Sequence, residues 1–251
     1  MSSPDEDGPR FPDRDAAPQY ALPLVVRVER GSPPTRTDAL EGAAYAVLRF
    51  LSDPRVDAED GDGGEGGEWT AAVRAWTDGR IRKVVRRARG AGWERASALP
   101  GITVSRGTAE IRVFPPVPND DWPADLARLQ VSGTELDDPE DPAAADAGTP
   151  VLWLNPGLPM TAGKAMAQVG HAAQFAWRGL APQGRSEWKA LDFDLAVRTA
   201  APGRWAELVA SGLPVVRDGG FTEVAPGSCT VVADLPALRR EPSKQCGNDH
   251  G

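Results

Sequence analysis

The sequence predicts an α/β fold in which a mixed four-stranded sheet with helices on both faces occurs twice. Three observations lead there. Short apolar runs of strand character alternate along the chain with longer stretches of helical periodicity. The N-terminal half can also be laid on the C-terminal half in pieces. Gly92 to Pro116 runs against Gly212 to Pro236 at a constant offset of 120, while TDALEGAAYAVLRF (37–50) and AAVRAWTDGR (71–80) fall on TAGKAMAQVGHAAQ (161–174) and LAVRTAAPGR (195–204) at 124. Finally, 251 residues of which 41% are hydrophobic suffice for one large or two small cores.

Each half then reads strand, helix, strand, helix, strand, strand. In the first half, strands are expected near 21–28, 69–76, 99–104 and 108–114, with helices near 38–51 and 79–90. In the second half, strands are expected near 150–155, 193–199, 214–217 and 228–234, with helices near 163–178 and 203–211. The domain plan is an acidic tail (1–18), a degenerate repeat (19–118), an acidic linker (119–148), a second and intact domain (149–240) and a polar tail (241–251). Within RIRKVVRRARGAGW (80–93), a helix would set Arg80, Lys83 and Arg87 beside Arg82 and Arg86. That stripe is either a phosphate track or the solvated face of a helix with Ile81, Val84, Val85 and Ala88 inward.

Composition narrows the function. No apolar run approaches the roughly 20 residues that span a bilayer, and the acidic, Pro-rich start has no targeting character, so a cytoplasmic protein without a membrane partner is expected. Cys229 and Cys246 offer neither a disulfide framework nor metal-ligand spacing. A net charge of -8 argues against nucleic-acid binding until its distribution is considered. Residues 149–240 hold nine Lys or Arg against seven Asp or Glu, and the acid is concentrated in 53–68 and 119–148.

MTAGKAMAQVGHAAQFAW (160–177) places Lys164, Gln168 and His171 on one helix face, at spacings of four and three, among Ala, Met, Val and Phe. Downstream, VVRDGGFTEVAPGSCTVVAD (215–234) reads as strand, loop, tight turn and strand. Together these segments resemble the type II peptidyl-tRNA hydrolase family. The likeness is carried by Met160, Gly163, Lys164, Gln168, His171 and Ala172, then by Asp218, Gly220, Thr222, Ala225, Pro226, Gly227, Ser228, Thr230 and Val231, and covers roughly residues 150 to 235. It implies hydrolysis of the ester between a peptide and the 3′ ribose of tRNA, with tRNA as partner and neither cofactor nor metal. Lys164, Asp218 and Thr222 would be catalytic; Gln168, His171, Gly163, Gly220 and Ser228 would bind substrate. The resemblance also implies a homodimer, whose second subunit the first half of this chain would replace as an internal pseudo-dimer.

Each residue also has a structural reading. Asp218 before two glycines forms turns, Lys164 in a first helical turn is ordinarily solvated, His171 among alanines is ordinarily a packed histidine, and Thr222 suits a strand. The repeat argues for function, because the offsets put Leu40, Ala44, Val47, Ala98 and Ile102 opposite Lys164, Gln168, His171, Asp218 and Thr222. One departure stands against it: the family enters its motif through Arg-x-Asp-Leu, where this chain has Asn155-Pro156-Gly157-Leu158. The alternative function is a tRNA- or protein-binding module on the same fold; a third is hydrolysis of another acyl or amide bond.

Overall fold

The structure, a computed structural model, describes residues 18–56, 67–132, 134–220 and 223–239. Its first half contains β1 (Tyr20–Arg27), α1 (Arg36–Leu51), α2 (Thr70–Asp78), β2 (Arg82–Ala88), α3 (Gly90–Ser97), β3 (Ile102–Arg106) and β4 (Ala109–Val113). A short β5 (Val117–Pro118) and α4 (Ala124–Ala127) follow. The second half contains β6 (Val151–Leu154), α5 (Ala162–Gly179), α6 (Pro182–Ala190), β7 (Ala196–Thr199), α7 (Pro202–Ala210), β8 (Val215–Arg217) and β9 (Cys229–Asp234), then a 3-10 turn at Pro236–Leu238.

The sheets are ordered β2-β1-β4-β3, with β5 beside β1, and β7-β6-β9-β8. In each, the first two strands of the order are parallel and the other pairings antiparallel. Both halves therefore show strand, helix, helix, strand, helix, strand, strand, joined in the same way.

Two expectations for the first half are corrected. Residues 69–76 do not form a strand but lie in helix α2, and residues 79–90 do not form a helix but contain strand β2. Ala71, Ala72 and Ala75 favour the helix, which buries Trp76 and directs its indole N–H to the Arg82 carbonyl at 2.8 Å. In β2, Lys83 and Val85 are buried while Arg82, Val84 and Arg86 are half-exposed, an alternation of period two. The basic residues read as a helical stripe are thus divided between the faces of a strand. Helices α3 and α6 were not expected; without α2 and α6, the offset of 124 aligned a helix with β7.

Helices α1 and α5 pack together between the sheets. Both begin at a threonine N-cap, Thr35 bonding the Asp38 N–H and Thr161 the Lys164 N–H. These caps lie 126 positions apart, which places Asp38, Gly42 and Tyr45 opposite Lys164, Gln168 and His171 and replaces the equivalence with Leu40, Ala44 and Val47. Each helix packs on its own sheet and also touches an edge strand of the other, α1 against β7 and α5 against β2. One hydrophobic core consequently runs through both halves, joining Leu24, Phe50 and Ile111 to Leu152, Met166 and Val231. On the outer faces, Val25, Trp93 and Leu126 pack under α3 and α4, and Val232 and Leu208 under α7.

The segment expected as a linker carries buried Leu126, Thr134 and Leu136, and Asp138 accepts the Thr37 N–H and hydroxyl at 2.8 Å each at the start of α1. No helix among the described residues is long and apolar enough to cross a membrane.

Candidate active site

Three of the side chains predicted from the sequence, Lys164, Gln168 and Asp218, converge where the N-terminal end of α5 meets the end of β8. Lys164 occupies the first turn of α5, where the positive end of the helix dipole opposes a cation. Its ammonium lies 2.6 Å from Asp218 Oδ2, with both side chains about nine-tenths buried. One turn along, Gln168 donates from Nε2 to the same oxygen at 2.8 Å. Its other end is fixed by the hydroxyl of fully buried Thr230, which donates to Gln168 Oε1 at 2.6 Å and lies 3.3 Å from the Val216 carbonyl.

Asp218 is equally constrained from its own loop. Its Oδ1 accepts the Gly220 N–H at 2.7 Å, its N–H donates to the Ser228 carbonyl at 2.9 Å, and its carbonyl accepts the Gly227 N–H at 2.7 Å. Gly220 has φ +77°, and a Cβ there would overlap Pro226. Glycine is the side chain this turn can hold. The loop is tied to α5 by Glu223, whose carboxylate accepts the Thr161 N–H at 2.9 Å and hydroxyl at 2.7 Å.

These groups border a cavity of about 720 Å³, lined by α5, by the end of β8 and by residues 79–85 of the first half. Edge strand β2 of one sheet and edge strand β8 of the other form facing walls, with α5 between them. Arg80, Arg82, Lys83, Lys164 and Arg217 line the cavity against two carboxylates, Asp218 and Glu223. A chain of net charge -8 therefore presents a locally basic site.

Gly163 and His171 also line this cavity. His171 does not join Lys164 and Asp218; its Nδ1 lies 3.3 Å from Lys83 Nζ. Burial, and then the charges of Lys83 and Lys164, hold its imidazole well below the usual histidine range, so it is neutral. Ser228 lies outside the cavity wall, and its contribution is the carbonyl that holds Asp218. Thr222 falls outside the described residues.

Sequence reasoning missed the local roles of Thr230 and Glu223, and it named Lys83 only as part of a helical phosphate track, not at this site. Thr230 was legible as a motif position but not as the anchor of Gln168. Lys83 belongs to the other half, and no spacing within the second half could point to it. The equivalence of Asp218 with Ala98 is also corrected. In the first half Arg106 pairs with Ala109, so Gly107 and Thr108 alone turn the chain, whereas loop 218–228 joins β8 to β9. At the first-half position, Asp38 accepts the Thr108 N–H and hydroxyl at 2.7 and 2.6 Å. A carboxylate and a threonine stand where the second half sets an ammonium and a carboxylate.

Among the described residues, no group of three or more His, Cys, Asp or Glu could hold a metal ion. Cys229 is a free thiol, 3.0 Å from Arg217 Nη1. Chemically, the site offers a carboxylate held from both oxygens, an ammonium against it and a basic, roomy approach. The chain matches no family model, no curated protein and no solved structure, so the meaning of this site has to be argued from its geometry.

Proposed function

We propose that the chain is a peptidyl-tRNA hydrolase, cleaving the ester between a peptide and the 3′ ribose of tRNA, with its site in the second half. The observation that carries this reading is the joint hold of Lys164, Gln168 and Gly220 on the Asp218 carboxylate at the wall of a basic cavity. A carboxylate offers about four acceptor positions, and the three bonds leave room for a water. Asp218 orients that water toward the ester carbonyl. As the water oxygen adds, the adjacent Lys164 ammonium stabilises the developing oxyanion. The carbon–oxygen bond to the ribose then breaks, and the proton of the water leaves with the ribose hydroxyl. Gln168 keeps Asp218 in place, and the cavity cations attract the nucleic acid. Neither cofactor nor metal has a part in this scheme. Thr222 stays in the proposal as a water-positioning hydroxyl on the strength of the sequence resemblance.

The matching element order and strand order of the halves support a second part of the reading, that they are copies of one unit arranged as a pseudo-dimer. The first copy, with Gly42, Tyr45 and a Gly107-Thr108 turn, is the degenerate one. A cytoplasmic location accords with a tRNA substrate.

The test is release of N-acetylated aminoacyl groups from tRNA by the purified chain. Asp218→Asn and Lys164→Met are each expected to lower kcat by about 100-fold or more. Undiminished turnover in Asp218→Asn would remove the carboxylate from the chemistry. The binding-module reading is favoured by one observation, Asn155-Pro156-Gly157 where the resemblance expects Arg-x-Asp. Retention of tRNA without turnover by the wild-type chain would establish it instead.

A further inference from the structure

Lys83 has no part in the scheme above, yet it is the most unusual cation in the cavity. It is 8 % exposed and reaches from β2 across to α5, where Gly170 makes room for it. A Cβ at Gly170 would lie 3.1 Å from Lys83 Cδ and 3.2 Å from Val47 Cγ2. Its ammonium meets neutral groups: Gln174 Oε1 at 2.5 Å, His171 Nδ1 at 3.3 Å and the Trp76 ring at 4.8 Å. Among the described residues the two cavity carboxylates are engaged elsewhere, Asp218 with Lys164, Gln168 and Gly220, and Glu223 with Thr161.

The other helix–edge junction is closed differently. Where α1 meets β7, Arg198 pairs with Glu41 at 2.7 Å with both side chains largely buried. A buried cation costs free energy unless an anion compensates it. The α1 junction supplies that anion from the protein, and the α5 junction opens onto a cavity. Arg80, Arg82 and Arg217 line the same cavity, and when Lys83 is protonated a neutral His171 accepts its hydrogen at Nδ1, which leaves Nε2 as the N–H donor.

We propose that Lys83, with the His171 ring beside it, is a phosphate-binding subsite that the first half of the chain contributes to the active site of the second. Its ligand is a phosphate group of the terminal nucleotides of the substrate, bound as the ester is presented to Asp218. The naming of that nucleotide rests on the hydrolase reading; the anion chemistry does not.

The test is calorimetric titration of the full chain with adenosine 5′-monophosphate, inorganic phosphate, adenosine and acetate. The variants are Lys83→Met, Lys83→Arg and, as a charge-matched control outside the cavity, Arg204→Met, each checked for folding by circular dichroism. Adenosine monophosphate is expected to bind the wild-type chain, about tenfold or more weakly in Lys83→Met, partly restored in Lys83→Arg and unchanged in Arg204→Met. Adenosine and acetate are expected not to compete. Inorganic phosphate binding as tightly as the nucleotide identifies a bare phosphate site and keeps the chemistry. Equal nucleotide affinity in wild type and Lys83→Met, no binding to the wild type, or adenosine binding as well as its phosphate would overturn the assignment. Lys83-dependent nucleotide binding without hydrolysis of peptidyl-tRNA would sink the hydrolase reading and spare the subsite; hydrolysis whose KM ignores Lys83 would do the reverse.

Discussion

Thr230 governs the site without lining its cavity. Its hydroxyl fixes Gln168, and Gln168 fixes Asp218. Replacing it by valine keeps the shape but leaves the buried Gln168 carbonyl unbonded, at a cost of about 1–3 kcal/mol. Thr230→Val is therefore expected to lower both the denaturation midpoint and kcat, with KM nearly unchanged; an unaltered kcat in a folded variant would detach Gln168 from the alignment of Asp218. Lys83 makes a pH-dependent claim. Burial first, and then nearby Arg178, push its amine well below the ordinary lysine value of 10.5. Between that depressed value and 10.5 the unfolded chain holds a proton that the empty folded site has given up and that a bound phosphate would restore, so this residue makes stability rise with pH across that window. Urea denaturation at pH 7 and at about pH 9.5 is expected to show Lys83→Met losing ground to the wild type as pH rises. Parallel profiles would mean that the amine is not depressed. Of these residues, Lys164, Gln168 and Asp218 were legible from helical spacing and motif order. The anchoring by Thr230 was not, and Lys83 was read only within a helical phosphate track, because both roles depend on strand pairing and on a second sheet.

At the scale of elements, α5 serves two masters: it carries Lys164 and Gln168 of the candidate site and is the surface on which α1 and β2 rest. Gly170 lies at that crossing, facing Val47 and Lys83. Gly170→Val overfills the junction and is expected to destabilise the fold by about 1–3 kcal/mol, and to weaken phosphate binding by displacing Lys83. A variant as stable as the wild type would show that the helices can separate at low cost. The loop after β8 depends on Gly220 in the same local way. Gly220→Ala, strained at φ +77° and pressed on Pro226, is expected to reduce turnover far more than thermal stability, measured by parallel assays and melts. Helices α1 and α5 were legible because each is a long run, 16 and 18 residues, of Ala and other helix-favouring residues that is buried on most sides. Periodicity failed in the first half at α2 and β2, where a nine-residue helix and a seven-residue strand are too short for their period to outweigh a persuasive alignment whose offset shifts by only four residues. The hidden gap lies between the first two helices of each half: 18 residues separate Leu51 from Thr70, but two separate Gly179 from Pro182.

At the scale of the molecule, the core passes through both halves, so neither half has a complete interior. Expressed alone, residues 149–240 would expose the face of α5 that α1 covers and would lack Lys83. That fragment is expected to be aggregated or poorly folded, and to recover on co-expression with residues 19–148; a soluble, fully active fragment would contradict the shared core. Charge acts at this scale too. With a basic cavity on an acidic chain, affinity for tRNA is expected to fall steeply with salt, and the slope should flatten in Lys83→Met. The fold class was legible from the alternation of elements along the chain. How the halves embrace was not, because local sequence does not encode which helix meets which distant strand edge.

The Gly107-Thr108 turn sets the valence of the molecule. A symmetric assembly of two such units would carry two catalytic loops and could load, wait and release in alternation. Here the second half has loop 218–228 and the first half a two-residue bend between its corresponding strands, so a reaction centre built on that loop would exist once per chain. Saturation is expected at one ligand per polypeptide, with hyperbolic dependence on concentration. On the proposed reading, the first half runs no reaction of its own and is free to change in ways that serve the second.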